Sequence, residues 1–250
     1  MATLNAAKQH LRAAMRHKLR AVSHDSIVSQ SATVFHTLQS LPAYASARRV
    51  SVFLSMPTGE VQTAAVVRHA LAAGKEVFIP YLHKNPVKTA GLPARVMDMV
   101  RLRDVADYEA LQPDKWGIPS VDPGTVPQRE RVLGDGEGGE GGGKGLDLIL
   151  IPGVAFDAHP DNSGAIRRLG HGKGFYDYFL FRHAQKARSL GQHEDPVLLV
   201  GLALSEQFLS DGGDEGAVPV GPLDQPLRGL VLGDGRVKGR LGDAAASKTD

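Results

Sequence analysis

The sequence predicts an α/β protein built on an open, mainly parallel sheet flanked by helices. Three observations carry that prediction. Short apolar runs rich in β-branched residues recur along the chain, with the length of buried strands. Stretches with helical spacing separate them. Arg49 to Tyr81 holds strand, helix and strand in turn, the size of a βαβ unit, which implies parallel strands and a right-handed crossover. The 250 residues are long enough to bury a sizeable core and show no internal repeat.

Leu4, Ala7, Leu11, Met15 and Leu19 have helical spacing, so residues 4–21 read as an amphipathic helix. Lys8, Arg12, Arg16, Lys18 and Arg20 line its other side, and pattern alone leaves a solvated basic face as the simplest reading. Ser23 or Asp25 caps a second helix, with Ile27, Val34, Phe35 and Leu38 apolar and Pro42 ending it. Arg49 to Met56 reads as a buried strand, followed by the turn Pro57-Thr58-Gly59. Thr63 to Ala73 is a helix stopped by Gly74, and Glu76 to Tyr81 is a strand closed by Pro80.

His83 to Ala94 reads as a surface loop, and Val96 to Leu102 alternates as a strand should. Trp116-Gly117-Ile118-Pro119 sets the only tryptophan in a turn. Gly134 to Gly145 has eight glycines in twelve residues and cannot bury apolar surface, so a flexible insertion is expected over residues 133–145. Leu146 to Ile151 is the next strand, stopped by Pro152-Gly153. Val154 to Asp157 then leads into a polar loop. Pro196 to Ala203 and Leu230 to Leu232 complete the strands. One domain is expected over residues 1–235, with a disordered tail over 236–250.

Composition narrows the function classes. A net charge of +2 argues for neither a nucleic-acid nor a membrane partner. No apolar run reaches the roughly 18 residues that span a bilayer. The chain has no cysteine, which removes disulfides, thiolate nucleophiles and Cys-ligated metals and is compatible with the cytoplasm. Ten histidines include no H-x-H or H-E-x-x-H pair, so zinc chemistry lacks support. No G-x-S-x-G elbow is present.

The most informative stretch is Arg168-Leu169-Gly170-His171-Gly172-Lys173-Gly174-Phe175-Tyr176-Asp177. Alternating glycines let a backbone approach a bulky anion, and Arg168 and Lys173 supply charge. Helical spacing after Gly174 points the loop at a helix N-terminus, where free N–H groups favour phosphate. The aromatic stripe that follows (Phe175, Tyr176, Tyr178, Phe179, Phe181) reads mostly as core. The loop is neither a Walker A nor a dinucleotide fingerprint, and as a bare pattern a tight turn explains it equally well. Asp98, Asp157, Asp177 and Asp224 adjoin apolar runs, where each is either a turn former or a Mg²⁺ ligand. Glu60 follows a strand's carboxyl end, where a parallel sheet places its ligand, and reads equally well as a first-turn acid.

Together these residues resemble the signature of the 5-formyltetrahydrofolate cyclo-ligase family. Beside the glycine loop and the Pro152 to Asp157 run, Lys8 to Arg12 resembles the family's N-terminal Lys-x-x-Leu-Arg. Phe53 to Met56 with Glu60 and Thr63, Met97 to Arg101, Trp116 to Pro119, and Val218 to Val220 with Asp224 follow in the family's order. The resemblance spans residues 8–235 and implies a fold of the sugar-phosphate-isomerase and CoA-transferase type. It implies an ATP- and Mg²⁺-dependent ligase acting on 5-formyltetrahydrofolate, with ATP as co-substrate and a monomeric, cytoplasmic protein. A mitochondrial address stays open, although use of Lys8 and Arg12 leaves no room for a cleaved segment.

Carried over by resemblance, Lys8, Arg12 and Arg168 to Tyr176 (Arg168, Leu169, Gly170, His171, Gly172, Lys173, Gly174, Phe175, Tyr176) would bind ATP. Arg168 and Lys173 would be the catalytic cations. Leu54, Met56, Glu60 and Trp116 would line the folate pocket, bordered by His171 to Phe175. Asp177 and Asp224 would hold Mg²⁺. His171 stands where familiar members have Arg, and Phe175 where they have Tyr. A neutral imidazole lacks the fixed charge of Arg, so phosphate affinity is expected to improve as pH falls toward about 6.5. A sugar-phosphate isomerase, a non-catalytic folate binder and a nucleic-acid module are the competing readings.

Overall fold

The computed structural model describes residues 2–87, 93–134, 145–161, 163–189, 197–210 and 216–241. Helices α1 (Ala2–Arg20), α2 (His24–Ser40) and α3 (Pro42–Ser46) precede β1 (Arg49–Val52), α4 (Ala64–Ala72), β2 (Glu76–Lys84) and β3 (Arg95–Arg101). Then come α5 (Val105–Glu109), β4 (Gln112–Pro113), β5 (Pro119–Ser120), β6 (Leu148–Ile151), β7 (Ala155–Ala158) and β8 (Ile166–Leu169). The chain continues with α6 (Phe175–Ser189), β9 (Leu198–Ala203), β10 (Gly229–Leu232) and β11 (Val237–Gly239).

Seven strands form the main sheet in the order β11-β10-β9-β6-β1-β2-β3. Pairings from β10 across to β2 are parallel, and only the edge strands β11 and β3 run antiparallel. The predicted βαβ unit is β1–α4–β2. From β1 the chain moves outward to β2, whereas from β6 it moves the other way through β9 and β10. The crevice at the carboxyl ends of β1 and β6 is therefore the topological switch point, where open α/β sheets take their ligands.

Side chains alternate across the sheet, so each strand feeds two cores. Leu148 and Leu150 of β6 join Ile27, Val34 and Leu38 of α2 and Val66, Val67 and Ala70 of α4. Ile149 and Ile151 join Phe179 and Leu180 of α6 on the opposite face. Leu150 is fully buried, and its replacement by Ala would cost about 2–5 kcal/mol. A third, smaller cluster binds Leu11 and Met15 of α1 to Val154, Ala155, Leu169, Leu209 and Val218. It positions the site, because it joins three segments distant in sequence.

Both ends of α2 fall where expected, and several other boundaries differ for local reasons. Ser23 is the cap of α2, accepting from Ser26 N at 3.2 Å. α2 stops at Ser40, before Pro42 as expected, and Pro42 then opens α3, since proline is tolerated in a first helical turn. β2 runs through Pro80 to Lys84, taking His83 and Lys84 out of the expected loop. The β1 ladder ends at Phe78, so beyond it β2 has a partner on one side only, where proline is tolerated. The polar loop is the tip of a hairpin: β7 pairs with β8, and Arg168 and Leu169 are strand residues. Phe181 is exposed, unlike Phe179, so the aromatic stripe is only partly core. Val237–Gly239 pairs with β10 inside the expected tail. Residues 242–250 and most of the glycine-rich insertion, 135–144, lie outside the described residues.

Candidate active site

Two loops meet at the switch point. The chain leaving β1 folds back at Pro57 to Gly59, and Glu60 returns its carboxylate to accept from Met56 N at 2.5 Å. Glu60 is buried, and burial pushes its pKa up to about 7, with the Met56 bond opposing the shift. Gln62 braces the loop by donating to Met56 O and Glu60 O, while Thr63 Oγ1 donates to Phe53 O at 2.6 Å. Leu54 is buried in the main core and Met56 is half-buried. Trp116 is exposed, and its turn is held by Asp114, which accepts from Trp116 N and Ile118 N. Gly117, at φ +79°, lets that turn touch Pro57, because a Cβ there would lie 2.7 Å from the proline ring. The tryptophan thus flanks the Met56–Glu60 loop.

The glycine loop follows β8 and empties into α6, with Tyr178 N donating to Gly174 O. Gly172 (φ +91°) and Gly174 (φ +66°) occupy left-handed backbone that side chains disfavour. At Gly170 a Cβ would sit 2.8 Å from Arg168 Nη1, so any side chain there would displace the guanidinium. Arg168 is buried, packs over the Tyr176 ring at 5.7 Å, and donates to Pro152 O at the end of β6. Its Nε is buried without a hydrogen-bond partner. Helix α1 approaches from the other side, where Arg12 Nε donates to Gly170 O at 2.8 Å. Lys173 is exposed, and nothing among the described residues pairs with its ammonium.

The carboxylates complete the group. Arg168 Nη2 lies 3.1 and 3.2 Å from the two oxygens of Asp177. Asp177 Oδ1 also accepts from Gln225 N at 3.3 Å, which makes Asp177 and Asp224 neighbours. Asp224 Oδ2 accepts from Lys8 Nζ and from Gly221 N, both at 2.5 Å. Lys8, Arg12, Arg168, Asp177 and Asp224 thus share one patch, although α1 and Asp224 lie at opposite ends of the chain.

This crowding shifts protonation. Arg12 is lowered by burial, with Asp224 opposing and Arg16 adding. His171 is lowered by the surrounding protein and then by the charges of Arg168 and Arg12. All three causes act in one direction, favouring the neutral imidazole. The Tyr176 phenol is raised by burial, opposed by Arg168 and assisted by Glu60. Tyr176 thus lies within the fields of both the Arg168 guanidinium and the Glu60 carboxylate.

A model of the 5-formyltetrahydrofolate cyclo-ligase family matches residues 4–232. The chain belongs to that family. A probable 5-formyltetrahydrofolate cyclo-ligase of Caenorhabditis elegans is 32% identical, over 92% of this chain and 95% of its own. The 5-formyltetrahydrofolate cyclo-ligase of Saccharomyces cerevisiae is 30% identical, over 93% and 98%. The NMR structure of Aquifex aeolicus 5,10-methenyltetrahydrofolate synthetase superposes with a TM-score of 0.62 at 25% identity, covering 97% of this chain and 96% of that one.

Against this cyclo-ligase background, the expected site residues sort by place. Those expected at nucleotide and metal converge on the glycine loop, and Met56, Glu60 and Trp116 stand along the adjoining loop. Leu54 is buried in the main core cluster at the start of that loop. Asp98 departs from the metal option: it is fully buried and accepts from Met99 N, Leu133 N and Gly134 N. Asp157 also departs, held by Arg167. Sequence reasoning passed over Gln62 and Gln207. Gln207 is buried and donates to Gly153 O at 2.6 Å, fixing the turn after β6. Polar amides carry no periodic signal, and only a glutamine next to a predicted strand end would have hinted at them.

Proposed function

We propose that this protein is an ATP-dependent ligase that closes 5-formyltetrahydrofolate to 5,10-methenyltetrahydrofolate, releasing ADP and phosphate. The observation that carries the reading is the packing of Tyr176, which lies under Arg168 and against the core cluster that includes Phe53, Leu54 and Val61 around the Glu60 loop. One short loop can then border two substrates, with a phosphate donor on the α1 side and a pterin on the Glu60 side.

The chemistry needs that juxtaposition. A formamide oxygen is a poor leaving group. Its attack on the γ-phosphorus forms a C–O–P link and breaks the bond to ADP. N10 of the folate then attacks the activated carbon and loses its proton. The C–O bond breaks, phosphate leaves, and the ring is closed. The protein's part is positioning and charge stabilisation. Lys8 and Arg12 hold phosphate oxygens beside the N–H groups of Leu169 to Tyr176. Arg168 and Lys173 meet the charge that develops on the transferring group. Glu60 accepts from pterin N–H groups, Met56 and Trp116 supply contact surface, and His171 to Phe175 border both substrates.

Asp177 and Asp224 would hold Mg²⁺. Their hard oxygens suit it, and among the described residues no third acid or imidazole joins them. Mg²⁺ needs only one or two protein carboxylates when phosphates and water supply the remainder. When bound, the ion would offset charge on the phosphate oxygens.

Absorbance tests the proposal. Methenyltetrahydrofolate absorbs in the near ultraviolet and the formyl substrate does not, so that band should grow only with ATP and Mg²⁺ present. Folded protein that binds the folate without raising the band would identify a non-catalytic binder instead.

A further inference from the structure

A backbone bridge between Ile166 and Leu227 ties β8 to the chain beyond Asp224, and the carboxylate of Asp157 adds a second tie at the other end of that segment, at Val218. Asp157 lies on β7, directly opposite Arg167 of β8, and is 3% exposed. Arg167 grips it with two nitrogens, Nε at 2.7 Å from Oδ1 and Nη2 on Oδ2. The same Oδ2 accepts from Val218 N at 2.9 Å. Arg167 immediately precedes Arg168 and the glycine loop. Val218 begins the run Val218-Pro219-Val220-Gly221-Pro222-Leu223-Asp224, which ends at a carboxylate of the cluster.

That run is stiff. Pro219 and Pro222 have fixed φ, so a shift at Val218 is passed along instead of being absorbed. Gly221 seats it against α1, because a Cβ there would lie 2.8 Å from Leu4. A turn from Gly221 N to Asp224 Oδ2 closes its far end. Val218 itself is buried in the small cluster with Leu11, Met15 and Leu169. A buried N–H requires a partner, and Asp157 is the one it has.

We propose that Asp157 is a positioning residue, which sets where Asp224 stands relative to the glycine loop by holding Arg167 and Val218 at once. This rests on the reading of Asp224 as a metal-holding group in an ATP-dependent enzyme. An ordinary ion pair within the hairpin would stabilise β7 and β8 without touching the 218–224 run. The hydrogen bond to Val218 N carries the effect across to it.

The test compares Asp157→Ala with Arg167→Met and Pro219→Gly. Asp157→Ala removes the acceptor of Val218 N, whereas Arg167→Met breaks the ion pair and leaves an oxygen for it. Pro219→Gly leaves the ion pair whole and softens the run. Asp157→Ala and Pro219→Gly are expected to raise the Mg²⁺ concentration for half-maximal turnover at least fivefold, with the folate KM within twofold of wild type and kcat recovered at high Mg²⁺. Calorimetry should show the Mg²⁺-dependent gain in ADP affinity reduced by a similar factor in both. Arg167→Met should lower Tm and leave that gain intact. Equal losses in Asp157→Ala and Arg167→Met, with Pro219→Gly unchanged, would reduce Asp157 to a hairpin ion pair and overturn the proposal. A wild type without ATP-dependent turnover would instead overturn the functional reading, and the ADP titrations would still report on the coupling.

Discussion

Lys8 and Asp224 stand 216 positions apart in sequence and meet at 2.5 Å. The ammonium suited to a phosphate is paired with the carboxylate suited to a metal. Arg168 and Asp177 repeat the arrangement at 3.1 Å. On the proposed reading, phosphate and metal would compete with contacts the protein already makes, and each would free a partner for the other.

Asp224→Asn should bind metal-free ATP more tightly than wild type, because Lys8 is released. A partly exposed pair is worth about 1 kcal/mol, so the gain should be roughly fivefold. The further gain on adding Mg²⁺ should shrink. Calorimetric titration of ATP with and without a chelator checks both, and weaker metal-free binding by the variant would count against the pairing.

Glu60 predicts opposed effects on stability and function. Its pKa rises from 4.5 to about 7 on folding, so the folded state holds the proton better. That contribution to stability is complete below 4.5 and is lost as pH rises through about 7. Glu60→Gln should therefore stabilise the ligand-free protein at pH 8 by on the order of 2–3 kcal/mol, and by almost nothing near pH 4.5. Denaturant melts at the two pH values measure this. Folate affinity should fall in the variant, and in wild type it should weaken below about pH 7, as the acceptor is protonated.

His171 gives the opposite pH dependence for ATP. The sequence reading placed the gain near pH 6.5, but crowding, Arg168 and Arg12 move it lower. The KM for ATP should be flat from about pH 8 to 7 and improve only below the ordinary imidazole value of about 6.5. His171→Arg should remove the dependence. Kinetics of both proteins across that range decide it, and improvement already complete by pH 7 would refute the assignment.

Lys173 and Trp116 separate function from folding. Both are exposed, so Lys173→Ala and Trp116→Ala should each change stability by no more than about 0.5 kcal/mol. Lys173→Ala should abolish methenyl formation. Trp116→Ala should raise the folate KM several-fold and leave the ATP KM in place. Because Trp116 is the sole tryptophan, folate titration of its fluorescence reads the pocket directly.

Much of the fold was legible because burial has a period. Leu148 to Ile151 had to be a strand with two buried faces, and Leu11 and Met15 had to share a helix face. The hairpin of β7 and β8 was missed because its polar tip, His159 to Gly164, hides the cross-strand partners. Proline misled at Pro80, where its position beyond a ladder's end decided its effect. The glycine loop was legible because left-handed backbone at Gly172 and Gly174 is a local demand that few other residues meet.

By itself, then, the sequence determined the strands and helices, the loop that can approach a phosphate, and the family, since these depend on neighbours within a few residues or on ordered motifs. Only the tertiary structure decided that Lys8 faces Asp224, that Asp157 holds Val218 instead of a metal, and that Glu60 is buried deeply enough to titrate near neutrality. Those outcomes depend on charge partners far away along the chain and on how much water the fold excludes, and no local pattern records either.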